Sequence, residues 1–322
     1  MSVGTNIKKR RFELRMSQQE LADALGYKTR STIAKIESGE NDVTQKKLQR
    51  FAEVLDTTVE ALITGDSVPS HPAVLSAPVY EEPDTPDRNR NIAIILAGGK
   101  SIRNQQNIPN QFINILGKPV IVYCLEAYQA HPAIDDIYIV CLKGWEQIVN
   151  AYAEQYHITK LKGLIPAASS GILSVKNGLE YVKNQYSRDD IVIFQESTRP
   201  MVSVDMISKL LQACYENGSA NICQGMKDYV QFTCNEGTVN YIDRNTIVSL
   251  ESPEAYQIGM IAEVFADAEK KQHPLNESCC AMLLFNLGYN INFIEGSVNN
   301  IKIVRQEDVA VATSLLKQTT NF

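Results

Sequence analysis

Two glycines placed directly after an apolar run are the first residues that could do chemistry. Ile92–Leu96 is an unbroken aliphatic stretch followed by Ala97, Gly98 and Gly99. Such a run reads as a central parallel strand, covered on both faces. A glycine turn at its end lets backbone amides approach a phosphate without side-chain obstruction. Turns of this kind occur in many α/β proteins, so its meaning depends on its neighbours.

Other chemistries have little support. His71, His131, His157 and His273 are scattered, which leaves no histidine-based triad or metal site. Cys124, Cys141, Cys214 and Cys223 sit in apolar runs, where cysteine behaves as a small core residue. Cys279 and Cys280 are adjacent and cannot form an ordinary bridge, and no CxxC or Cys/His spacing points to zinc. The net charge of -6 opposes nonspecific nucleic-acid binding by the whole chain. Its distribution is uneven, with Lys8, Lys9, Arg10, Arg11 and Arg15 facing Glu13 alone in the first turns. Any DNA contact is therefore expected in the N-terminal region.

The elements that position these residues fall into two groups, as 322 residues would suggest. We expect one domain over 1–66, a linker over 67–90 and a second domain over 91–322. The stretch 68–90 holds five prolines and several acids without an amphipathic period, the composition of an extended, semi-rigid tether. No apolar run reaches the ~18 residues of a membrane span, and none follows the N-terminal basic cluster as in a signal peptide. A cytoplasmic location without membrane partners is the resulting expectation.

Before the linker, short helices are expected at about Thr5–Arg15, Ser17–Leu25, Arg30–Ser38, Gln45–Leu55 and Thr58–Ile63. Ser17-Gln18-Gln19-Glu20 has the form of a capping box, and Gly26 and Gly39 act as stops. After the linker, strands at Ile92–Leu96, Ile137–Cys141, Ile191–Phe194 and Ile291–Ile294 alternate with helices at about 119–130, 144–156, 172–185 and 203–216. That rhythm predicts a doubly wound α/β domain with its site at the strand C-termini.

The N-terminal pattern, Gln-Glu-Leu-Ala, then Leu-Gly, then Ser-Thr-Ile-x-x-Ile-Glu-x-Gly, resembles helix-turn-helix domains of the Cro and phage-repressor type over residues 5–64. The resemblance implies that the helix at Arg30 enters the major groove of double-stranded DNA, N-terminal end first. It places Thr29, Arg30, Ser31, Thr32 and Lys35 nearest the duplex, with Gln18 and Gln19 at the preceding helix start. Arg30 suits bidentate contact with guanine, and Lys35 the backbone. Glu37 and Gly39 fit internal, structural roles.

Residues 96–128, LAGGKSIRNQQNIPNQFINILGKPVIVYCLEAY, are similar to the signature of the methylerythritol-phosphate and ribitol-phosphate cytidylyltransferases. The similarity continues through Ser174–Leu179, Thr198-Arg199-Pro200 and Asn300–Ile303. It implies a Rossmann-like nucleotidyltransferase fold with a β-arm. It also implies that Ala97, Gly98, Gly99, Arg103, Ser174 and Glu196 meet a nucleotide, CTP or a CDP-linked ligand. Arg103 and Lys302 would act on the triphosphate, Arg244 and Ser252 on the second substrate's phosphate, and Glu196 on Mg²⁺ accompanying a nucleotide. The family dimerises through its arm, which residues 226–250 resemble, so a homodimer is expected.

Departures from the family pattern cluster in one place. The family's Pro-Lys-Gln is Pro109-Asn110-Gln111, the loop glycine is Ser101, and His-Asp-Ala is Gln195-Glu196-Ser197. A Gly-Gly-Ala-Glu-Arg-x-Asp-Ser segment reads Ala167–Ser174, without its arginine and aspartate, and Asn299 replaces an acid before the last Asn-Ile-Lys. Loss of a charge-stabilising lysine typically costs on the order of 100-fold in rate. Two expectations follow: a regulator whose second domain senses a nucleotide or CDP-linked metabolite, or an active cytidylyltransferase carrying a regulatory DNA-binding domain.

Overall fold

Ser17 shows how the N-terminal region folds. Its hydroxyl accepts from the Glu20 amide at 3.1 Å while the Glu20 carboxylate accepts from the Ser17 amide at 2.6 Å, closing the capping box. The computed structural model describes residues 2–14, 16–27, 29–41, 43–55, 57–64, 88–100, 108–225, 230–235 and 237–319. Most of the proline-rich segment lies outside the described residues.

Five helices precede that segment: α1 (Val3–Glu13), α2 (Gln18–Leu25), α3 (Arg30–Glu37), α4 (Gln45–Val54) and α5 (Val59–Thr64). Gly26 ends α2 in the left-handed region at φ +76°, where glycine carries no Cβ penalty. Ile7, Leu21, Ile33, Ile36, Phe51 and Leu55 are buried together as the core. Arg11 and Glu37 form a buried bidentate pair, with distances of 2.6 and 2.9 Å, that joins α1 to α3. Arg10 donates to the Leu55 carbonyl and to Glu13. Part of the basic cluster therefore holds this fold together, while Lys8 and Lys9 are exposed.

The remaining elements run β1 (Asn91–Ala97), a 3-10 turn at Asn110–Phe112, β2 (Asn114–Ile115), β3 (Lys118–Pro119), α6 (Val120–Ala130), β4 (Asp136–Cys141), α7 (Glu146–Gln155) and β5 (Leu161–Pro166). Then follow α8 (Gly171–Val182), β6 (Ile191–Glu196), α9 (Val204–Asn217), β7 (Ser219–Gly225), β8 (Gln231–Asn235) and β9 (Thr238–Ile242). After a 3-10 turn at Arg244–Thr246 come β10 (Val248–Gln257), α10 (Ile258–Lys270), α11 (Cys280–Leu287), β11 (Phe293–Glu295) and α12 (Gln306–Thr319).

Seven strands form one sheet in the order β11-β7-β10-β6-β1-β4-β5. Successive residues of β1 serve opposite faces, as strand pleating requires. Ala93 and Ile95 join the core built with α6, α7 and α9, whereas Ile92 and Ile94 join that of α8, α10 and α11. Helices on both faces make the doubly wound, parallel-dominated fold. One strand departs from the expected alternation: β10 runs antiparallel to both β6 and β7. Val248–Leu250, read from the sequence as the end of the arm, begin this strand. The arm itself is the β8–β9 hairpin, with Gly237 at φ +85° in its turn. The strand expected at Ile291–Ile294 is the short edge strand β11. Among the described residues no helix is long and apolar enough to cross a membrane.

Candidate functional site

The C-terminal ends of β1 and β6, the start of α8 and an irregularity in β10 surround a cleft of about 650 Å³. Its volume lies within the range of small-molecule pockets. Gly98, Gly99, Ser174, Glu196, Ser252 and Lys302 all line it. Ala97, the last residue of β1, contributes its carbonyl, which accepts from the Gln111 amide at 2.9 Å. Arg103 lies outside the described residues. Arg244 is exposed beyond the arm hairpin and does not line the cleft of its own chain.

Gly98 is where the backbone must pass another element closely. A Cβ there would lie 2.5 Å from that of Ala167, so the ends of β1 and β5 can meet only around a glycine. Ser174 projects from α8 and its hydroxyl accepts from the Ala168 amide at 3.0 Å, holding the loop before that helix. The register of β10 shifts between Leu250 and Glu254. Such a bulge re-aims side chains, and Glu251, Ser252 and Glu254 all reach the cleft. The Ser252 hydroxyl accepts from the Glu196 amide at 3.1 Å and from the Gln195 side chain at 3.3 Å.

Charges in the cleft are already matched to one another. One Glu196 oxygen accepts from Lys302, and the other from Arg199 at 2.8 Å. Arg199 also donates to the Asn300 carbonyl at 2.6 Å and lies 3.7 Å from Glu251. Burial pushes the Glu196 carboxyl upward, but Lys302 and Arg199 outweigh it and hold the group below its ordinary range. Burial keeps Glu251 raised despite Arg199 and Asn300. Glu254, fully buried, is pushed up to about 7.

A divalent cation has little here to bind. Mg²⁺ takes one or two carboxylates plus substrate phosphates, yet both oxygens of Glu196 are engaged by cations. No cluster of three metal-ligating side chains occurs among the described residues. The donor set does not fit a resident metal, so the chemistry below is assigned to this chain's own residues.

Asn110 supplies the most informative geometry. It stands where the family pattern has lysine, is only 4% exposed, and donates to the carbonyls of Ile303 and Val304 at 3.3 and 3.1 Å. It thereby ties the turn at 110–112 to the segment carrying Lys302. Gln111 donates to the carbonyls of Ala97 and Gly99, each at 2.9 Å, and shapes the glycine turn. In the sequence Asn110 reads only as a lost lysine, and no motif there gives a role to Gln111, Glu251, Glu254 or Cys279. Glu251 and Glu254 come to the cleft on β10, Asn110 and Gln111 on the turn at 110–112, and Cys279 at the N-cap of α11.

On the N-terminal domain, Thr29, Arg30, Ser31 and Lys35 are exposed on or beside α3, with Thr32 half-buried. Thr29 occupies the N-cap without a side-chain cap bond, its hydroxyl lying 2.7 Å from that of Ser31. Gln18 is turned inward, donating to Glu37 at 2.8 Å, while exposed Gln19 donates to Asp23 at 2.8 Å.

Comparison with known proteins agrees with this architecture. Residues 91–318 match the model of the 2-C-methyl-D-erythritol 4-phosphate cytidylyltransferase family. The chain belongs to that family. Residues 7–62 match a helix-turn-helix model, so the protein is a fusion of the two domains. It is 31% identical over 228 residues to ribitol-5-phosphate cytidylyltransferase of Lacticaseibacillus paracasei, covering 70% of this chain and 97% of that one. It is 30% identical over 229 residues to 2-C-methyl-D-erythritol 4-phosphate cytidylyltransferase of Syntrophus aciditrophicus, covering 70% of this chain and 96% of the other. The crystal structure of 4-diphosphocytidyl-2C-methyl-D-erythritol synthase from Anaerococcus prevotii is similar in fold. Its TM-score is 0.62 at 21% identity, over 71% of this chain and 96% of that one.

Proposed function

We propose that this protein is a sequence-specific, DNA-binding transcriptional regulator. In this reading its cytidylyltransferase-like domain pairs two copies and senses CTP or a CDP-linked metabolite. The observation that carries the sensing role is Asn110. A buried amide tied to two backbone carbonyls preserves the cleft's shape while removing the cation expected to stabilise transition-state charge. The DNA-reading role is supported by the helix-turn-helix match and the exposed polar start of α3.

In such a site the glycine turn offers amides to phosphates. Lys302 gives one of its three ammonium hydrogens to Glu196 and is partly exposed, so the others can meet an incoming phosphate. The relatives' names favour a second reading, an active cytidylyltransferase. There an oxygen of a polyol phosphate attacks the α-phosphorus of CTP, and the bond to the departing pyrophosphate breaks.

One assay separates the readings: the full chain incubated with CTP, Mg²⁺ and ribitol 5-phosphate. The sensing role expects a rise in melting temperature with CTP or CDP-ribitol by mass action, and no pyrophosphate above a protein-free control. Sustained pyrophosphate release over many turnovers would establish the enzyme instead. The DNA-reading role is tested by selection from random duplexes. Arg30→Ala should lose preference at one base pair, by about 1–3 kcal/mol, with phosphate contacts retained.

A further inference from the structure

Three consecutive residues of the 3-10 turn face three different structures. Asn110 holds the Lys302 segment and Gln111 holds the glycine turn, so both walls of the cleft are tied to this turn. Phe112 is buried and stacks on Trp145, with ring centroids 4.1 Å apart and planes within 3°. Trp145 is the N-cap residue of α7, and its carbonyl accepts from the Val149 amide at 2.9 Å.

Helix α7 is also the surface on which the N-terminal domain rests. Its packing partner from that domain is α5. Leu48 and Ile63 belong to the same buried cluster as Phe112, Ile148, Val149 and Tyr152, and Trp145 packs against it. Ile148, Val149, Ala151, Tyr152 and Ala153 are all buried. At 3.6 residues per turn these positions cover an arc of about 200°, wider than a helix covering one sheet face needs. The docked arrangement leaves Arg30, Ser31 and Lys35 exposed.

We propose that the stacked pair Phe112–Trp145 couples the cleft to the placement of the DNA-reading domain. An occupant that displaces the backbone at 303–304 or spreads the glycine turn pulls on the turn at 110–112, because both walls are hydrogen-bonded to it. Phe112 then shifts Trp145, α7 and the helix docked on it. This rests on the reading that the cleft takes a nucleotide.

Trp145 is the protein's single tryptophan, so its emission reports on this junction. The experiment uses the full chain with CTP as probe and follows three quantities: bound CTP by equilibrium dialysis, Trp145 emission, and amide-hydrogen exchange in 59–64 and 146–155. In the unsubstituted protein, saturating CTP should shift the emission and change exchange in 59–64 by about fivefold or more. Trp145→Ala should bind CTP equally well, yet exchange in 59–64 should no longer respond. Trp145→Phe, which keeps a ring for stacking, should retain part of the response. CTP bound with emission and exchange unchanged, or a response surviving Trp145→Ala, overturns the coupling alone. No CTP bound by the unsubstituted chain overturns the nucleotide reading and the coupling with it.

Discussion

Glu254 is a carboxylate with nowhere to place a charge. Its Oε2 accepts from the Ala281 amide at 3.1 Å, and the Tyr256 hydroxyl lies 2.8 Å away. That hydroxyl is also 2.6 Å from Asn221 Oδ1 and has only one hydrogen for two acceptors. A proton on Glu254 resolves the shortage, because the carboxyl can donate to Tyr256 while Tyr256 donates to Asn221. Desolvation favours the same form and pushes the group up to about 7 from its ordinary 4.5. Between these two values the folded chain holds a proton that the unfolded chain has released, so stability falls as pH rises through that window. The span corresponds to about 3 kcal/mol above its upper end. Glu254→Gln preserves an acceptor for Ala281 and a donor for Tyr256 without ionising. It should raise the melting temperature at pH 8 and leave it nearly unchanged at pH 4. Denaturation followed across that range checks this, and an equal effect at both pH values would show that ionisation is not the cause.

At the scale of elements, the Arg11–Glu37 pair is a buried link between α1 and α3. Both side chains are nearly sealed from solvent, at 5% and 1% exposure, and Gln18 adds a donor to the same carboxylate. Removing one partner strands a buried charge, which costs about 3–5 kcal/mol, whereas replacing both with apolar residues costs much less. Arg11→Ala should therefore melt the helices of residues 3–64 at lower temperature, and Arg11→Met with Glu37→Leu should recover most of the loss. Calorimetry that found the double variant as unstable as the single one would assign the effect to packing. Glu37 was legible as an internal residue because it sits inside the Ile-Glu-x-Gly stop of α3. Arg11 was not, since a basic run near a DNA-reading helix looks like surface charge until its partner is located. The same contrast holds across the second domain. β1, β4 and β6 announce themselves as aliphatic runs and Gly98 follows from the glycine turn after β1, whereas Ser174 came only through the family resemblance. β10 carries Glu251-Ser252-Pro253-Glu254 through its middle, which breaks the apolar signal of a buried strand. Glu251 and Glu254 were hidden with it, whereas Glu196, at the end of β6, was not.

For the whole molecule, the unexplained surface is the arm. Phe232 and Tyr241 stand on paired strands, in edge-to-face contact at 5.9 Å, and remain 54% and 60% exposed. Val230 and Val239 extend the apolar surface. A two-stranded hairpin is marginal on its own in water, and contiguous exposed apolar area marks an interaction site. A second copy covering this arm, as proposed, would also hold two helix-turn-helix domains together, and a twofold pair of readers suits two half-sites one turn of duplex apart. Phe232→Asp with Tyr241→Asp places repelling charges where apolar surface must meet. Sedimentation should then give a species of 35.9 kDa rather than twice that mass. Because pairing converts the second half-site contact into an intramolecular event, affinity for a two-half-site fragment should fall by about 100-fold or more. Affinity for a single half-site should stay as it was, since α3 is untouched. A paired sedimentation profile in the charged variant would locate the twofold contact on another surface and leave the hairpin's apolar face to a different partner.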